Sequence, residues 1–399
     1  MRYLKILILI PIYLFSFIIF IILKSIRPII KVRFGQVKSS RIGHFLINTE
    51  LYLLGKKMSN KNFYDIIYFD EIVSNLYLEK IWRKKILIFP RIYVSKIHNI
   101  NRFLFKDTKF EIPEFGPDGD RDKKNLLSKF PCDLKFSDEE IKYGEKLLNE
   151  IGVSEEKKIV LFCLRDSAYL KEKYPNKNFQ YHNYRDWNSD DFIYAADKLA
   201  EKNYQVLRMG KIVDKDFIST NANVFDYANS KINNDFMDFY LAYKSSFCIT
   251  TATGMDTFSF YFRKKFAQIH LPLFSSWTNN NNLISSCNMY LKKEKKVLNI
   301  SEMFHYFNKV NFNINTNSLS DLGIQVLYHD KNHLVDFCLE AEGLYNNTYL
   351  YSDHDKDLQK KFWDVFNDNI KKYNLSYLHG NINATFDINF LRKNKKWLN

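Results

Sequence analysis

Short apolar runs recur along this chain, separated by stretches in which apolar residues return every three or four positions. The runs IIKVRF, YDIIYF and KKILIF fall in the first third, with the helical pattern EIVSNLYLEKIW between the last two. The runs KKIVLFCL, YQVLRM, FCITT and FAQIHL follow further on. Helical patterns SDDFIYAADKLAEKN, NDFMDFYLAYKS and GMDTFSFYFRKK are interleaved with them. Continuous apolar runs alternating with amphipathic helices predict parallel sheets covered on both faces, an α/β class fold. Two such blocks predict two parallel α/β domains. The stretch FEIPEFGPDGDRDKKN, rich in Pro, Gly and charge, reads as a loop leading to the linker between them. Ser137, with Glu140 three residues on, predicts a capped helix start. The expected divisions are an N-terminal segment 1–26, a first domain 27–135, a second domain 136–350 and a C-terminal helix and tail 351–399. Asn279 to Asn282 reads as a flexible loop.

One run differs from the rest. Ile6 to Leu23, ILILIPIYLFSFIIFIIL, is almost unbroken hydrocarbon, interrupted by Pro11 and flanked by Arg2, Lys5, Lys24, Arg27, Lys31 and Arg33. It approaches the ~20 apolar residues of a membrane helix, and KSIRPIIK after it offers no small-residue cleavage site. The reading is an uncleaved membrane-anchor helix, spanning or lying at the surface. The heavier positive charge on its C-terminal side predicts a catalytic body on the cytoplasmic side of the membrane.

Composition adds little to this picture beyond limits. The 399 residues carry a net charge of +14, which favours anionic ligands or lipid. No zinc finger, RNA-binding aromatic signature or basic helical stripe is present, so nucleic acid is not an expected partner. The five cysteines are widely spaced and form no CxxC. They read as free thiols of a reducing compartment.

The candidate chemistry gathers where the apolar runs of the second block end. Arg165 and Asp166 follow VLFCL, Arg208 and Gly210 end YQVL, and Thr253 and Gly254 follow CIT. Ligands of open α/β sheets bind at the carboxyl ends of the strands. Arginines can grip phosphate with two prongs, and a helix opening after Gly254 would offer free amides. The polar loop QYHNYRDW adds Tyr184 and Arg185. In the first block, Arg41, Gly43 and His44 lie at a strand–turn–helix junction. Several DxD pairs occur, none after an apolar run, and Asp118–Asp122 fails as a calcium loop because Lys123 and Lys129 stand at its sixth and twelfth positions. No metal and no cofactor is therefore expected. GxSxG, HExxH and P-loop signatures are absent.

CLRDSAY, HNYRDW, YQVLRMG and TATGMDTFSF followed by LPL together resemble a family of bacterial glycosyltransferases of GT-B type, from about Val32 to about Ile370. The early RIGHF and the late GIQVLYHD and FCLEAEGLY segments are similar to it as well. The resemblance implies two Rossmann-like domains facing a cleft, a nucleotide-sugar donor held by the second domain, and metal-independent transfer to a glycan or lipid-linked acceptor of the cell envelope. It implies that Arg165, Arg208, Thr253 and Gly254 hold the donor diphosphate, with Tyr184 and Arg185 closing the site. Met255 stands where many such enzymes have a small residue. The base is not carried by the resemblance; Asp166 and His44 are the candidates from chemistry. The alternatives are a phosphoenolpyruvate-using transferase of the same architecture and a catalytically silent, membrane-tethered glycan-binding scaffold.

Overall fold

The computed structural model describes residues 2–60, 62–154, 156–176, 178–269, 282–376 and 380–399. The chain divides into two compact units, Met1–Asp122 and Lys123–Asn399.

The smaller unit opens with the helix α1 (Arg2–Ile26), followed by β1 (Val32–Val37), α2 (Ile42–Met58), β2 (Tyr64–Phe69), α3 (Leu76–Lys85) and α4 (Arg91–Ile100). β1 and β2 pair in parallel from Val32–Tyr64 to Val37–Phe69. Single bridges, Phe34 to Glu111 and Ile67 to Ile88, extend this pair on either side. The run KKILIF, expected as a strand, contributes only the Ile88 bridge. Its two lysines end α3, which begins late because the Asn75 side chain accepts from the Leu78 amide and sets the cap there. Phe20, Phe34, Tyr68 and Phe110 are buried together in this unit's core.

Among the described residues no helix is long and apolar enough to cross a membrane. α1 instead lays one stripe on its own unit. Phe20 is fully buried, Tyr13, Phe17 and Leu23 are partly so, and Phe17 and Phe20 stack on Phe105. A spanning helix is thus not what this packing confirms.

The larger unit begins with α5 (Leu126–Lys129) and α6 (Asp138–Glu150), whose Ser137–Glu140 capping box forms as expected. Then come β3 (Lys158–Cys163), α7 (Ala168–Lys173), α8 (Ile193–Glu201), β4 (Tyr204–Met209), β5 (Val224–Phe225), α9 (Asp235–Lys244), β6 (Phe247–Thr250), α10 (Thr257–Tyr261), β7 (Lys265–Ile269) and β8 (Asn282–Ser285). The C-terminal part adds β9 (Asn288–Leu291), β10 (Lys296–Val297), α11 (Ile300–Asn308), α12 (Thr316–Asp321), β11 (Ile324–Leu327), α13 (Lys331–Tyr345), α14 (Asp353–Lys372), β12 (Ala384–Phe386) and α15 (Ile388–Lys393). Of the asparagine run, Asn282 begins β8 and the rest lies outside the described residues.

The main sheet has seven strands in the order β12-β8-β7-β6-β3-β4-β5. Each neighbouring pair is parallel. β3 beyond Lys158 and the whole of β4 are buried, as expected of parallel strands covered on both faces. The order runs outward from β3 in one direction through β4 and β5, and in the other through β6, β7 and β8. It is the doubly wound arrangement of dinucleotide-binding folds, and its direction reverses between β3 and β6. β9 pairs antiparallel with β10 and β11 in a separate small sheet. The C-terminal residues belong to this unit: β12 extends the sheet edge, and Phe386 stacks with Phe362 and Trp397.

Candidate functional site

The crevice between β3 and β6 is assembled by backbone ties that start from the strand ends. The Arg165 amide donates to Thr251 Oγ1 at 2.8 Å, which joins the turn after β3 to the turn after β6. The Trp187 amide donates to the Arg165 carbonyl at 3.1 Å and draws the loop Gln180–Trp187 over the same point. That loop is itself pinned from the other side. Thr316 Oγ1 accepts from the Tyr184 amide at 3.0 Å, and Tyr328 Oη donates to the Tyr184 carbonyl at 3.0 Å. Strand ends and loop are thereby fixed by backbone groups, with Thr251, Thr316 and Tyr328 as their partners.

Two arginines are carried into this frame. The Arg165 side chain is 11% exposed, and its Nε lies 3.2 Å from Asp186 Oδ1. Neither atom completes a hydrogen bond, and the guanidinium has no other hydrogen bond among the described residues. Arg185 reaches His182 Nδ1 through Nη2 at 3.0 Å and lies over the Tyr184 ring, while its buried Nε has no hydrogen-bond partner. Burial, reinforced by the nearby Arg185 charge, lowers the Arg165 pKa to about 10, still fully cationic at neutral pH. Buried guanidinium donors without acceptors are rare because each costs a lost hydrogen bond. Two in one crevice point to an anion that would complete them.

Other residues expected at the site are placed differently. Arg208 lies within β4 with its side chain 1% exposed, between Asp166 and Asp226, each 3.4 Å away, and it donates to the Lys215 carbonyl. Its charge is balanced by these two carboxylates, while its Nε, like those of Arg165 and Arg185, has no hydrogen-bond partner. Asp166 accepts from Arg208 and from the amides of Ala168 and Asp214. These bonds make it a clasp between the turns after β3 and β4. A Cβ at Gly210 would collide with Val213, so the absent side chain makes room for the chain's own turn.

Thr253 and Gly254 lie in a turn and do not open a helix; α10 starts only at Thr257. The delay has a local cause. Ala252 adopts a left-handed conformation with φ of 62°. Asp256 Oδ2 accepts from Thr250 Oγ1 at 2.8 Å and from the Thr253 amide at 3.2 Å. Side chain-to-backbone bonds of this kind compete with helix formation. They also put a carboxylate beside the amides expected to face phosphate. Burial pushes the Asp256 pKa up to about 6, against the opposing pull of Thr250, the Thr253 amide and Arg185.

In the smaller unit, His44 sits in the first turn of α2. Its Nδ1 lies 3.3 Å from Asn48 Oδ1 and 3.6 Å from Asp120 Oδ2. Burial lowers its pKa, so the imidazole is neutral at pH 7. With two acceptors facing Nδ1, the proton is assigned there and Nε2 keeps its lone pair.

Asp186, Asp256 and Asp120 were not singled out by sequence reasoning. Asp186 adjoins Arg185 and Asp256 lies two residues after Gly254, so proximity to the chosen motifs was the only available signal. Asp120 was visible only as half of a DxD pair.

No family model matches the chain, and no curated protein matches it. Among solved structures it has a likeness to the E. coli ADP-heptose LPS heptosyltransferase II, at 13% identity and a TM-score of 0.35 over 60% of this chain and 84% of that one. A glycosyl transferase of family 9 from Veillonella parvula DSM 2008 aligns at 9% identity and a TM-score of 0.40, over 80% of this chain and 98% of that one. E. coli heptosyltransferase WaaC with ADP-2-deoxy-2-fluoro heptose aligns at 11% identity and a TM-score of 0.32, over 63% and 92%. These scores are low enough that neither a shared fold nor a shared activity follows from them.

Proposed function

We propose that the chain is a glycosyltransferase that moves a sugar from a nucleotide-sugar donor to a glycan or lipid-linked acceptor of the cell envelope. One observation carries the reading: two half-buried arginines, each with a buried Nε that lacks a hydrogen-bond partner, meet at the point where a doubly wound sheet reverses direction. In this reading Arg165 and Arg185 grip the donor diphosphate. As the glycosidic bond breaks, negative charge builds on the departing phosphate, and preplaced cations stabilise it without reorganisation. Tyr184 and Trp187 hold the loop that carries Arg185. Arg208 and Asp166 keep the strand ends in place. Thr253 and Gly254 line the turn beside the phosphates.

Acceptor activation falls to His44 in this proposal. Its Nε2 accepts the acceptor hydroxyl proton while Asp120 and Asn48 orient the ring and favour the imidazolium that forms. α1 keeps the protein at a membrane, where a lipid-linked acceptor shares the surface. The cytoplasmic side is favoured by the buried thiols Cys163, Cys248, Cys287 and Cys338, which form no disulfide.

Saturation-transfer NMR of the full chain against UDP-, GDP-, ADP-, CMP- and dTDP-sugars tests the donor. Transfer to the nucleotide of one donor, lost with Arg165→Ala, is expected. Absence of transfer from every member of the panel would sink the donor assignment.

A further inference from the structure

We infer that the smaller unit docks on an anionic lipid surface through two elements: the outer stripe of α1 and the apolar tip Phe103–Leu104. This inference concerns the mode of membrane contact and does not rest on the glycosyl-transfer reading.

α1 has two opposite faces. Phe20 is buried against the unit, with Phe17 and Leu23 beside it, while Ile10, Leu14, Ile18 and Ile22 are exposed on the other side. From Tyr13 onward the helix is committed to its own unit. The part ahead of that, Arg2–Ile12, is eleven residues. At ~1.5 Å per residue it reaches roughly 17 Å, short of the ~30 Å hydrocarbon core. An apolar stripe that is exposed along a helix packed on a folded unit fits the plane of a membrane interface, not a crossing.

The second element is built to present hydrocarbon. Directly after α4 the chain makes one π-helical turn, Asn101–Phe105, closed by Lys106 at φ 50°. Its polar residues turn inward. Asn101 Nδ2 donates to the Asp107 carbonyl and to Glu111, and Arg102 Nη1 donates to Gln36 Oε1 at 2.6 Å. Phe105 packs on Phe17 and Phe20 of α1, which sets the turn beside that helix. Phe103 and Leu104 are left 74% and 63% exposed at its tip. Large apolar groups held out by a fully bonded turn gain nothing in water. In a bilayer interface they bury their surface.

Charge selects the occupant. Residues 2–31 and 91–109 contain ten lysines and arginines and one carboxylate, Asp107. Lys24 and Lys96 lie over the rings of Phe105 and Tyr13, where long side chains can lift their charge toward headgroups. Apolar groups with Lys24 and Lys96 beside them match anionic phospholipid.

The test is flotation of the full chain with vesicles of phosphatidylcholine alone or with added phosphatidylglycerol, comparing wild type with Phe103→Ser/Leu104→Ser. Binding to the anionic vesicles is expected, falling at least about tenfold in the double variant and falling with salt. A matched thermal-unfolding curve confirms that the exposed substitutions leave the fold intact. Equal flotation of wild type and double variant overturns the inference, as does equal binding to both vesicle types. A tag at the N-terminus should stay open to protease added outside sealed vesicles; its protection would mean a crossing helix and also overturn it. So would a dimer in sedimentation that the double variant converts to monomer without any vesicle binding.

Discussion

Two charged regions of the larger unit are finished very differently. Near the C-terminus, Asp355 takes Arg392 Nε and Nη2 at 2.7 and 2.6 Å, and its Oδ2 also accepts from the Ser352 amide and hydroxyl. Asp387 accepts from Ser285 Oγ, His333 Nε2 and the Phe390 amide. Burial alone would raise the Asp387 pKa, but His333 and Ser285 outweigh it and hold the carboxyl below its ordinary range. At the β3–β6 crevice, in contrast, Arg165 has a single ion pair and no hydrogen bond, and the Nε of Arg185 is likewise open. Complete pairing marks charges that serve the fold. Incomplete pairing, at the place where such sheets bind ligands, marks charges kept for something else.

The largest expected effect breaks this comparison on the functional side. Arg165→Ala should weaken nucleotide-sugar affinity by about a hundredfold to a thousandfold, roughly 3–4 kcal/mol, while its unfolding midpoint in urea stays near wild type. Arg208 tests the opposite case. Arg208→Ala leaves the half-buried Asp166 and Asp226 without their cation and should cost about 3 kcal/mol of stability in the same urea titration. A fold left at full stability but without nucleotide affinity would instead make Arg208 a direct ligand. Arg392→Ala should cost about 2 kcal/mol by removing the partner of a buried carboxylate, with nucleotide titration unchanged; weakened nucleotide binding there would erase the distinction between the two regions.

The smallest effect is a pH dependence. The folded pKa of Asp256, about 6, lies above its ordinary 3.8. The folded state therefore holds this proton more tightly than the unfolded chain does. Its contribution to stability is complete below about pH 4 and is lost as pH rises through about 6. Asp256→Asn should flatten that part of the stability–pH curve measured by denaturant titration. An unchanged slope would remove Asp256 from the account.

Much of the fold was legible because parallel strands buried on both faces leave continuous apolar runs; YQVLRM coincides with β4 residue for residue. KKILIF did not become a strand: α3 runs on through Lys84 and Lys85, and of the remainder only Ile88 forms a bridge. The short strands β8, β9 and β10 were missed because their mixed polarity carries little periodic signal. Arg165 and Arg185 lie where the sequence places them, directly after β3 and in the loop that follows α7. What composition could not reveal was the state of each charge. Arg208 and Arg165 look alike in sequence, both ending an apolar run, yet one meets two carboxylates from distant turns and the other meets one. Asp256 stayed hidden for the same reason, because its burial depends on how the turn after β6 folds back.

Isothermal titration of the full chain with UDP, GDP, ADP, CDP and dTDP, repeated with Arg165→Ala and Arg392→Ala, tests the central claim most directly. The account predicts that one nucleoside diphosphate binds, that Arg165→Ala weakens it by about a hundredfold or more, and that Arg392→Ala leaves it unchanged. Binding that is indifferent to Arg165→Ala, or absent for every nucleotide, would contradict the assignment of the β3–β6 crevice as the donor site.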